Sequence, residues 1–252
     1  MRYSALLRQS LMPLVDIIYP PRCPLCGEAV AQQSGLCSPC WGTLQLPGQP
    51  SCMLCQAPLD HTAVIEGAIC APCMLQPPRH DGIAAGTLYN APSRQLVLDL
   101  KYAGRIGLAA MMARLIAARL PEMRGEWLVA PVPLHRRRLW RRGYNQAALL
   151  AMEISRLRSL RYEPVLLHRT RHTPSLGGMG REQRKKTLAG AIAVKPSQAG
   201  KVKGSDILLV DDVLTSGATS SACVNMLKKA GARRVVVACF ARVLPDDGRA
   251  PR

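Results

Sequence analysis

The chain has 252 residues, with 34 Lys and Arg against 16 Asp and Glu for a net charge of +18, and 48% of it is apolar. That length holds one medium domain and one small one; no segment spans a membrane and no small-residue cleavage site follows the N-terminal apolar stretch, so a signal peptide is not expected and a cytoplasmic location is. The positive excess favours polyanionic partners such as nucleic acid or pyrophosphate-bearing substrates, although a solvated basic surface has the same composition, and an aromatic content of 4% argues against an extended base-stacking platform.

Residues 1–22 read as a short amphipathic helix, apolar from Leu6 to Ile18 but interrupted by Arg8, Gln9, Ser10 and Asp16. Residues 23–76 then hold eight of the ten cysteines, spaced as four C-x-x-C pairs: Cys23 and Cys26, Cys37 and Cys40, Cys52 and Cys55, Cys70 and Cys73. Each pair places two thiolates on a tight turn, and two turns complete a tetrahedral S₄ site of the kind Zn²⁺ prefers, which predicts two closed structural zinc ions. A disulfide framework is the competing arrangement, disfavoured where thiols stay reduced. The simplest pairing is sequential, Cys23, Cys26, Cys37 and Cys40 on one ion and Cys52, Cys55, Cys70 and Cys73 on the other; a cross-braced pairing uses the same thiolates. His61 and His80 nearby are expected to be solvated loop residues.

Gln76-Pro77-Pro78-Arg79 marks a boundary, after which residues 77–245 alternate between strand and helix patterns and residues 246–252 form a disordered tail. Lys101, Tyr102 and Arg105 are candidates to touch a substrate, or simply a turn before the Ala-rich helix from Gly107 to Leu120. Trp127 to Ala130 reads as a strand. The turn beyond it, Pro131 to His135, leads into a run of five arginines between Arg136 and Arg142, and from this run a helix is expected to continue to about Arg158. His135 and Arg136, with Arg138 and Arg142, are candidate diphosphate contacts; a solvated basic helix face is the alternative. Pro164 to Leu167 reads as another strand. His172 to Arg181, rich in Gly and Pro, suggests a mobile lid or an ordinary surface loop, with Arg181, Arg184, Lys185 and Lys186 following.

The most informative run is Ile207-Leu208-Leu209-Val210-Asp211-Asp212-Val213-Leu214-Thr215-Ser216-Gly217-Ala218-Thr219. It predicts a buried strand from Asp206 to Val210, an acidic pair, a phosphate loop and a helix to about Ala230. A helix start at Gly217 aims free N–H groups and the positive end of the helix dipole at an anion, so Thr215, Ser216, Gly217, Ala218 and Thr219 are assigned to a phosphate monoester. Asp211 and Asp212 would repel that phosphate. They suit a ligand with hydroxyls between its charged ends, or a bound Mg²⁺, and a sugar phosphate meets that description. A Walker B strand also ends in acidic residues, but the chain contains no G-x-x-x-x-G-K-[ST]. The last strand runs from Arg234 to Arg242, and Cys223 and Cys239 are expected to be small core residues.

This run resembles the signature of the phosphoribosyltransferase fold, in which the acidic pair holds the ribose diol of phosphoribosyl pyrophosphate and the loop its 5′-phosphate. The whole chain resembles the ComF/GntX family of competence-associated proteins, on the strength of Tyr19-Pro20-Pro21-Arg22-Cys23, Leu100-Lys101-Tyr102-Ala103-Gly104-Arg105, Val132-Pro133-Leu134, Arg142-Gly143-Tyr144-Asn145-Gln146 and Leu188-Ala189-Gly190-Ala191-Ile192. Leu176, Thr187 and Ile192 depart from the Gln, Asn and Phe of the family pattern. The resemblance implies an α/β fold, a phosphoribosyltransferase-type parallel sheet flanked by helices and preceded by a small double zinc-ribbon domain. It also implies a cytoplasmic role in single-stranded DNA import during natural transformation, with Mg²⁺, phosphoribosyl pyrophosphate and a competence helicase as partners. Alternatives are an active transferase moving ribose 5-phosphate to an unidentified nitrogen acceptor, with Asp211 and Asp212 steadying the charge on the ribose, and a purely structural adaptor.

Overall fold

The computed structural model describes residues 20–33, 35–59, 67–173 and 181–244. The expected N-terminal helix up to Tyr19, His61, the lid residues Pro174 to Gly180 and the tail 246–252 lie outside these. The cysteine-rich part consists of two similarly built units. In the first, Cys23 N–H donates to Glu28 O (2.7 Å) and Gly27 N–H to Cys23 O (2.8 Å); in the second, Cys52 N–H donates to Ala57 O (2.8 Å) and Gln56 N–H to Cys52 O (2.7 Å). Such a turn needs a left-handed residue, and Gly27 (φ +82°) and Gln56 (φ +55°) supply it. The second pair of each unit opens a single helical turn, α1 (Ser38–Gly42) after Cys37 and α2 (Ala71–Leu75) after Cys70, each with a Pro in its first two positions, where no intrahelical N–H is required.

The α/β part follows as β1 (Ile83–Leu88), α3 (Ala91–Tyr102), α4 (Leu108–Ala117), β2 (Trp127–Pro131), α5 (Arg136–Arg142), α6 (Gln146–Arg158), β3 (Arg161–Tyr162), β4 (Leu167–Arg169), α7 (Arg181–Leu188), β5 (Ile192–Val194), α8 (Ala199–Val202), β6 (Asp206–Leu214), α9 (Ala218–Lys229) and β7 (Arg234–Arg242). Five strands form one parallel sheet in the order β1-β7-β6-β2-β3, while β4 and β5 pair antiparallel beside it. Alternation along the strands splits the core in two. Leu208, Val210, Val236, Ala238 and Phe240 face α3, α4 and α6, and Ile207, Leu209, Val235, Val237 and Cys239 face α9 and the β4–β5 pair. Gly86 lets α4 close on β1, since a Cβ there would meet Ile116 N at 3.2 Å and Leu115 Cβ at 3.2 Å.

The cysteine-rich units are packed into this core. Leu44 is buried in the cluster on the α4 side, with Leu25 and Leu36 packed against it. β1 is a sheet edge, and its outward amides are met from that region: Leu88 N–H donates to Gln45 O (2.7 Å) and Ala85 N–H to Gln56 Oε1 (2.9 Å). The left-handed backbone of Gln56 thus accompanies a side chain that covers an open edge.

Four expectations need correction. The expected strand from Asp206 to Val210 continues to Leu214, because β7 supplies partners to the end: Asp211 pairs with Cys239, Val213 with Ala241 and Leu214 with Arg242. The basic run is not continuous with the next helix, because Gly143 (φ +77°) caps α5 and Asn145 starts α6. The strand expected at Pro164 to Leu167 begins only at Leu167, the first residue of β4; Pro164 to Leu166 form the turn after β3, and Pro164 has no N–H to give a ladder. His80 is half-buried, with Nδ1 unpartnered, and burial followed by the Arg242 charge pulls it down to about 4.

Candidate functional site

Loops at the C-terminal ends of β2, β4 and β6 make one corner, the position at which parallel α/β sheets collect ligands. Within β6, Asp211 lies on the α9 side with Cys223 and Cys239, while Asp212 turns to α3 and pairs with Lys101, Nζ to Oδ2 at 2.9 Å. Asp212 N–H donates to Asp211 Oδ1 (2.9 Å), so the two acids share a local geometry and not only a sequence position. Burial first, and then the charge of Asp212, pushes Asp211 up to about 7; Lys101 and Arg169 pull the other way. A carboxyl raised by a neighbouring carboxylate suits a group waiting for a cation or a hydroxylated ligand.

Shortly beyond the pair, Gly217 caps α9 in the left-handed region (φ +72°) with no side-chain cap. Its carbonyl accepts from Ser220 Oγ (3.0 Å) and from Ser221 N–H (2.7 Å). The first-turn N–H groups of α9 lack a capping side chain, as an anion seat requires. Thr215 and Ser216 are exposed, and Gly217, Ala218 and Thr219 half-exposed. The structure therefore places the expected phosphate loop directly beyond the acidic pair, open to solvent.

The expected diphosphate turn lies one strand over. Val132 N–H donates to Val210 O (2.8 Å), tying the turn to β6 beside Asp211. His135 caps α5, its Nδ1 accepting from Arg137 N–H (3.2 Å), and its ring meets His172 edge-on at 5.0 Å. Burial, then the neighbouring charges of His172 and three arginines, lowers His135, so it stands neutral as an acceptor. Arg136 is exposed. Arg138 donates to Thr173 O (2.9 Å), and Arg142 donates to Gln146 Oε1 (3.1 Å) and Tyr102 Oη (3.1 Å) and lies over the Tyr102 ring.

Arg169 was missed in the sequence. From β4 it donates to Pro133 O (2.9 Å) and Thr173 Oγ1 (2.8 Å), which holds its guanidinium at the diphosphate turn, and its charge is near enough to pull Asp211 down. The alternating basic run His168-Arg169-Thr170-Arg171-His172 was its only signal, and it reads equally as surface. Lys101, Tyr102 and Arg105, ambiguous in the sequence, end α3 against this corner: Tyr144 Oη donates to Leu100 O (2.6 Å), and Arg105 Nη1 reaches both Asp99 Oδ2 (3.3 Å) and Pro24 O in the first cysteine unit (3.1 Å). The side chains of Arg181, Arg184 and Lys185 lie outside the described residues, and Lys186 is exposed.

Both cysteine clusters have the sequential pairing. The four Sγ atoms of Cys23, Cys26, Cys37 and Cys40 lie within 4.8 Å of one another, as do those of Cys52, Cys55, Cys70 and Cys73. A Zn–S bond of about 2.3 Å implies tetrahedral edges of about 3.8 Å; Cys26 and Cys37 sulfurs stand at 3.5 Å, and Cys55 and Cys70 at 3.6 Å. Burial raises the Cys23 and Cys52 thiols, but backbone N–H groups outweigh it and leave them at about 6 and about 7, while Cys40 is held up chiefly by Cys37 and Cys73 chiefly by burial. Four sulfurs so close cannot all ionise without a cation among them, and a dication resolves that conflict. These residues fit two zinc ions. Among the described residues no helix is long and apolar enough to cross a membrane.

The chain matches a double zinc ribbon domain over residues 14–74 and a phosphoribosyl transferase domain over residues 145–250. It is 30% identical over 228 residues to competence protein F of Haemophilus influenzae, covering 88% of this chain and 96% of that one. It is 30% identical over 232 residues to DNA utilization protein YhgH of Escherichia coli O6:H1, covering 89% and 98%. Among solved structures, glutamine phosphoribosylpyrophosphate amidotransferase from B. subtilis is similar over 53% of this chain and 25% of that one, at 20% identity and a TM-score of 0.34.

Proposed function

The chain belongs to the family of competence protein F and the YhgH proteins, a double zinc ribbon followed by a phosphoribosyltransferase-type domain, and from that premise we propose that it handles single-stranded DNA during import in natural transformation while binding phosphoribosyl pyrophosphate at the corner beyond β6. One observation carries the ligand assignment: Asp211 and Asp212 stand immediately before an uncapped helix start, with Arg169 held at the basic turn on the next strand. The family relatives, named for competence and for DNA utilization, support the DNA-handling part, as does the net charge of +18.

The residues divide the ligand among them. The α9 N-terminus with Thr215, Ser216 and Thr219 takes the 5′-phosphate, Asp211 and Asp212 the ribose hydroxyls, and His135, Arg136, Arg138 and Arg169 the diphosphate. Mg²⁺ would neutralise diphosphate charge against the acids. Lys101 has to leave Asp212 for the diol to enter, and it then faces the diphosphate with its charge free. The zinc ribbons, residues 23–76, and the transferase-type unit, residues 77–245, act together as the working parts, beside a competence helicase in the cytoplasm.

A second reading, an active transferase, is favoured by the same cationic surroundings: Arg169 and Lys101 near the acids would stabilise a departing diphosphate as well as a bound one. Calorimetric titration of zinc-loaded protein with phosphoribosyl pyrophosphate and Mg²⁺ tests the first reading. Saturable binding, weakened at least tenfold by Asp212→Asn, is expected; no heat in the wild type overturns it and leaves the adaptor. Diphosphate release that rises when a nitrogen nucleophile such as ammonia is added to take the ribose 5-phosphate, and that is lost in Asp212→Asn, would establish the second.

A further inference from the structure

We propose that the outward face of α5 is where a single-stranded nucleic acid docks, with one base stacked on Trp140. This deepens the DNA-handling reading above and rests on it. Trp140 is 90% exposed, the most exposed of the large apolar side chains among the described residues, in a chain whose Trp127 is buried. An indole in water forfeits about 1.5–3 kcal/mol of burial that a packed position would recover, so its place on a rigid helix asks for a partner.

The surroundings specify that partner. Arg136 and Arg137 precede the ring by four and three residues, one helical turn away, Arg141 follows it, and all three are exposed. Arg138 and Arg142, on the other side of α5, are held by Thr173 O, Gln146 Oε1 and Tyr102 Oη. The helix is therefore anchored by two arginines and presents three others with the indole. A groove of about 730 Å³ runs between Arg136, Arg137, Trp140, Arg141 and His172, with Arg138 also lining it. No Asp or Glu occurs from Trp127 to Met152, nor from His168 to Thr173 on the facing strand and loop. Like charges at i and i+4, Arg137 with Arg141 and Arg138 with Arg142, repel one another within the helix, and a polyanion along it relieves that repulsion.

A ring between guanidinium groups fits a strand whose phosphates meet the arginines and whose bases are free to stack. In a duplex the base faces are already occupied, so the ring selects single strands. One indole is not a platform, which agrees with the low aromatic content; it is a single anchoring step on a path set by charge. A helix of seven residues is short for an interfacial membrane anchor, and an anionic membrane is accordingly the competing outcome.

The test uses the zinc-loaded full chain, a fluorescein-labelled twenty-nucleotide oligothymidylate and phosphatidylglycerol vesicles. Trp140→Ala should weaken strand binding by roughly 5- to 100-fold, and Trp140→Phe should stay within about threefold of wild type because it keeps an aromatic face. In Arg137→Gln/Arg141→Gln the slope of log affinity against log salt should flatten by about 1.4, at roughly 0.7 for each phosphate that is no longer neutralised. Tryptophan emission of the wild type should be quenched by the strand. Zinc content and binding of phosphoribosyl pyrophosphate should be unchanged in Trp140→Ala, which separates removal of a stacking surface from damage to the fold. Wild-type protein that binds no strand sinks the DNA-handling reading and this inference with it. Wild-type binding with an unaltered Trp140→Ala, or loss of vesicle binding alone, overturns this inference and leaves that reading standing.

Discussion

Asp211 is the residue on which pH should act most directly. Partly buried beside a second carboxylate, it is pushed up to about 7, and the charges of Lys101 and Arg169 keep it from rising further. Binding of a Mg²⁺-associated, hydroxylated ligand needs the ionised pair, so affinity for phosphoribosyl pyrophosphate should rise with pH through about 7. Lys101→Met removes a charge that favours the ionised form, and the midpoint of that rise should move to higher pH; titrations from mildly acid to mildly alkaline buffer will show it. A midpoint that stays put would mean that Lys101 is only a surface partner of Asp212. Asp206 is the contrasting case. Its carboxylate is fully buried, and although burial alone would raise it, Arg233 and Arg234 hold it at about 2. Arg233 donates to Oδ1 through Nε and to Oδ2 through Nη2, both at 2.7 Å, and Arg234 donates to Oδ2 through Nε and Nη2. The stabilisation is complete above the unfolded carboxylate range and is lost as pH falls from about 4 through about 2. Asp206→Ala should cost about 2–3 kcal/mol in denaturant unfolding at neutral pH, below the usual cost of breaking a buried pair, because the orphaned arginines can reach water.

Elements differ in how openly the sequence announced them, and the reason lies in what holds each one. β6 and β7 carry runs of Ile, Leu and Val whose pattern suits a strand buried on both faces, and β7 was legible to the residue. The eight cysteine ligands were equally plain, because ligand spacing is set by the ion, but which pairs share an ion was not, since sequential and cross-braced arrangements use the same thiolates and only the fold brings Cys23, Cys26, Cys37 and Cys40 together. β1 was not legible: Ile83-Ala84-Ala85-Gly86-Thr87-Leu88 is dominated by small residues selected for contact with α4, and its edge amides are completed by Gln45 and Gln56. α3 was obscured because its meaning is tertiary; Lys101 and Tyr102 matter through Asp212 and Arg142, far along the chain. The acidic pair stands out in the sequence, but its place within β6 and not past its end does not, since the length of a strand depends on its neighbour. The dependence of β1 on the ribbon gives an element-scale prediction. Cys52→Ser, by loosening the second zinc site, should release Gln56 and raise the hydrogen-exchange rates of the Ala85 and Leu88 amides above those of Leu208 and Val236. Unchanged protection of β1 would show that Gln45 and Gln56 are ornaments on an edge stable by itself.

At the scale of the molecule, the segment from Leu100 to Arg105 is one of the places where the ribbons and the transferase-type sheet meet, beside Leu44 in the core and Gln45 and Gln56 on the β1 edge. This short stretch accepts a hydrogen bond from Tyr144, pairs with Asp212, contacts Arg142 and donates to Pro24 inside the first cysteine unit. A disturbance at the first zinc site therefore has a short physical route to the acidic pair: Pro24 shifts, Arg105 follows, and the end of α3 carries Lys101 with it. The Arg105 contacts are exposed, so each is worth under about 1 kcal/mol, and the coupling should be a few-fold effect and not an on–off switch. Chelating zinc should weaken binding of phosphoribosyl pyrophosphate. Arg105→Ala should weaken it by roughly two- to fivefold with the zinc content intact, in keeping with an exposed pair. If the route runs through Arg105, the two changes together should weaken binding by less than the product of their separate effects, because chelation has no further link to break once Arg105 is gone. A strictly multiplicative result in that double cycle would mean that zinc acts on the site by another path, with Leu25, Leu36 and Leu44 in the shared core as the next place to cut.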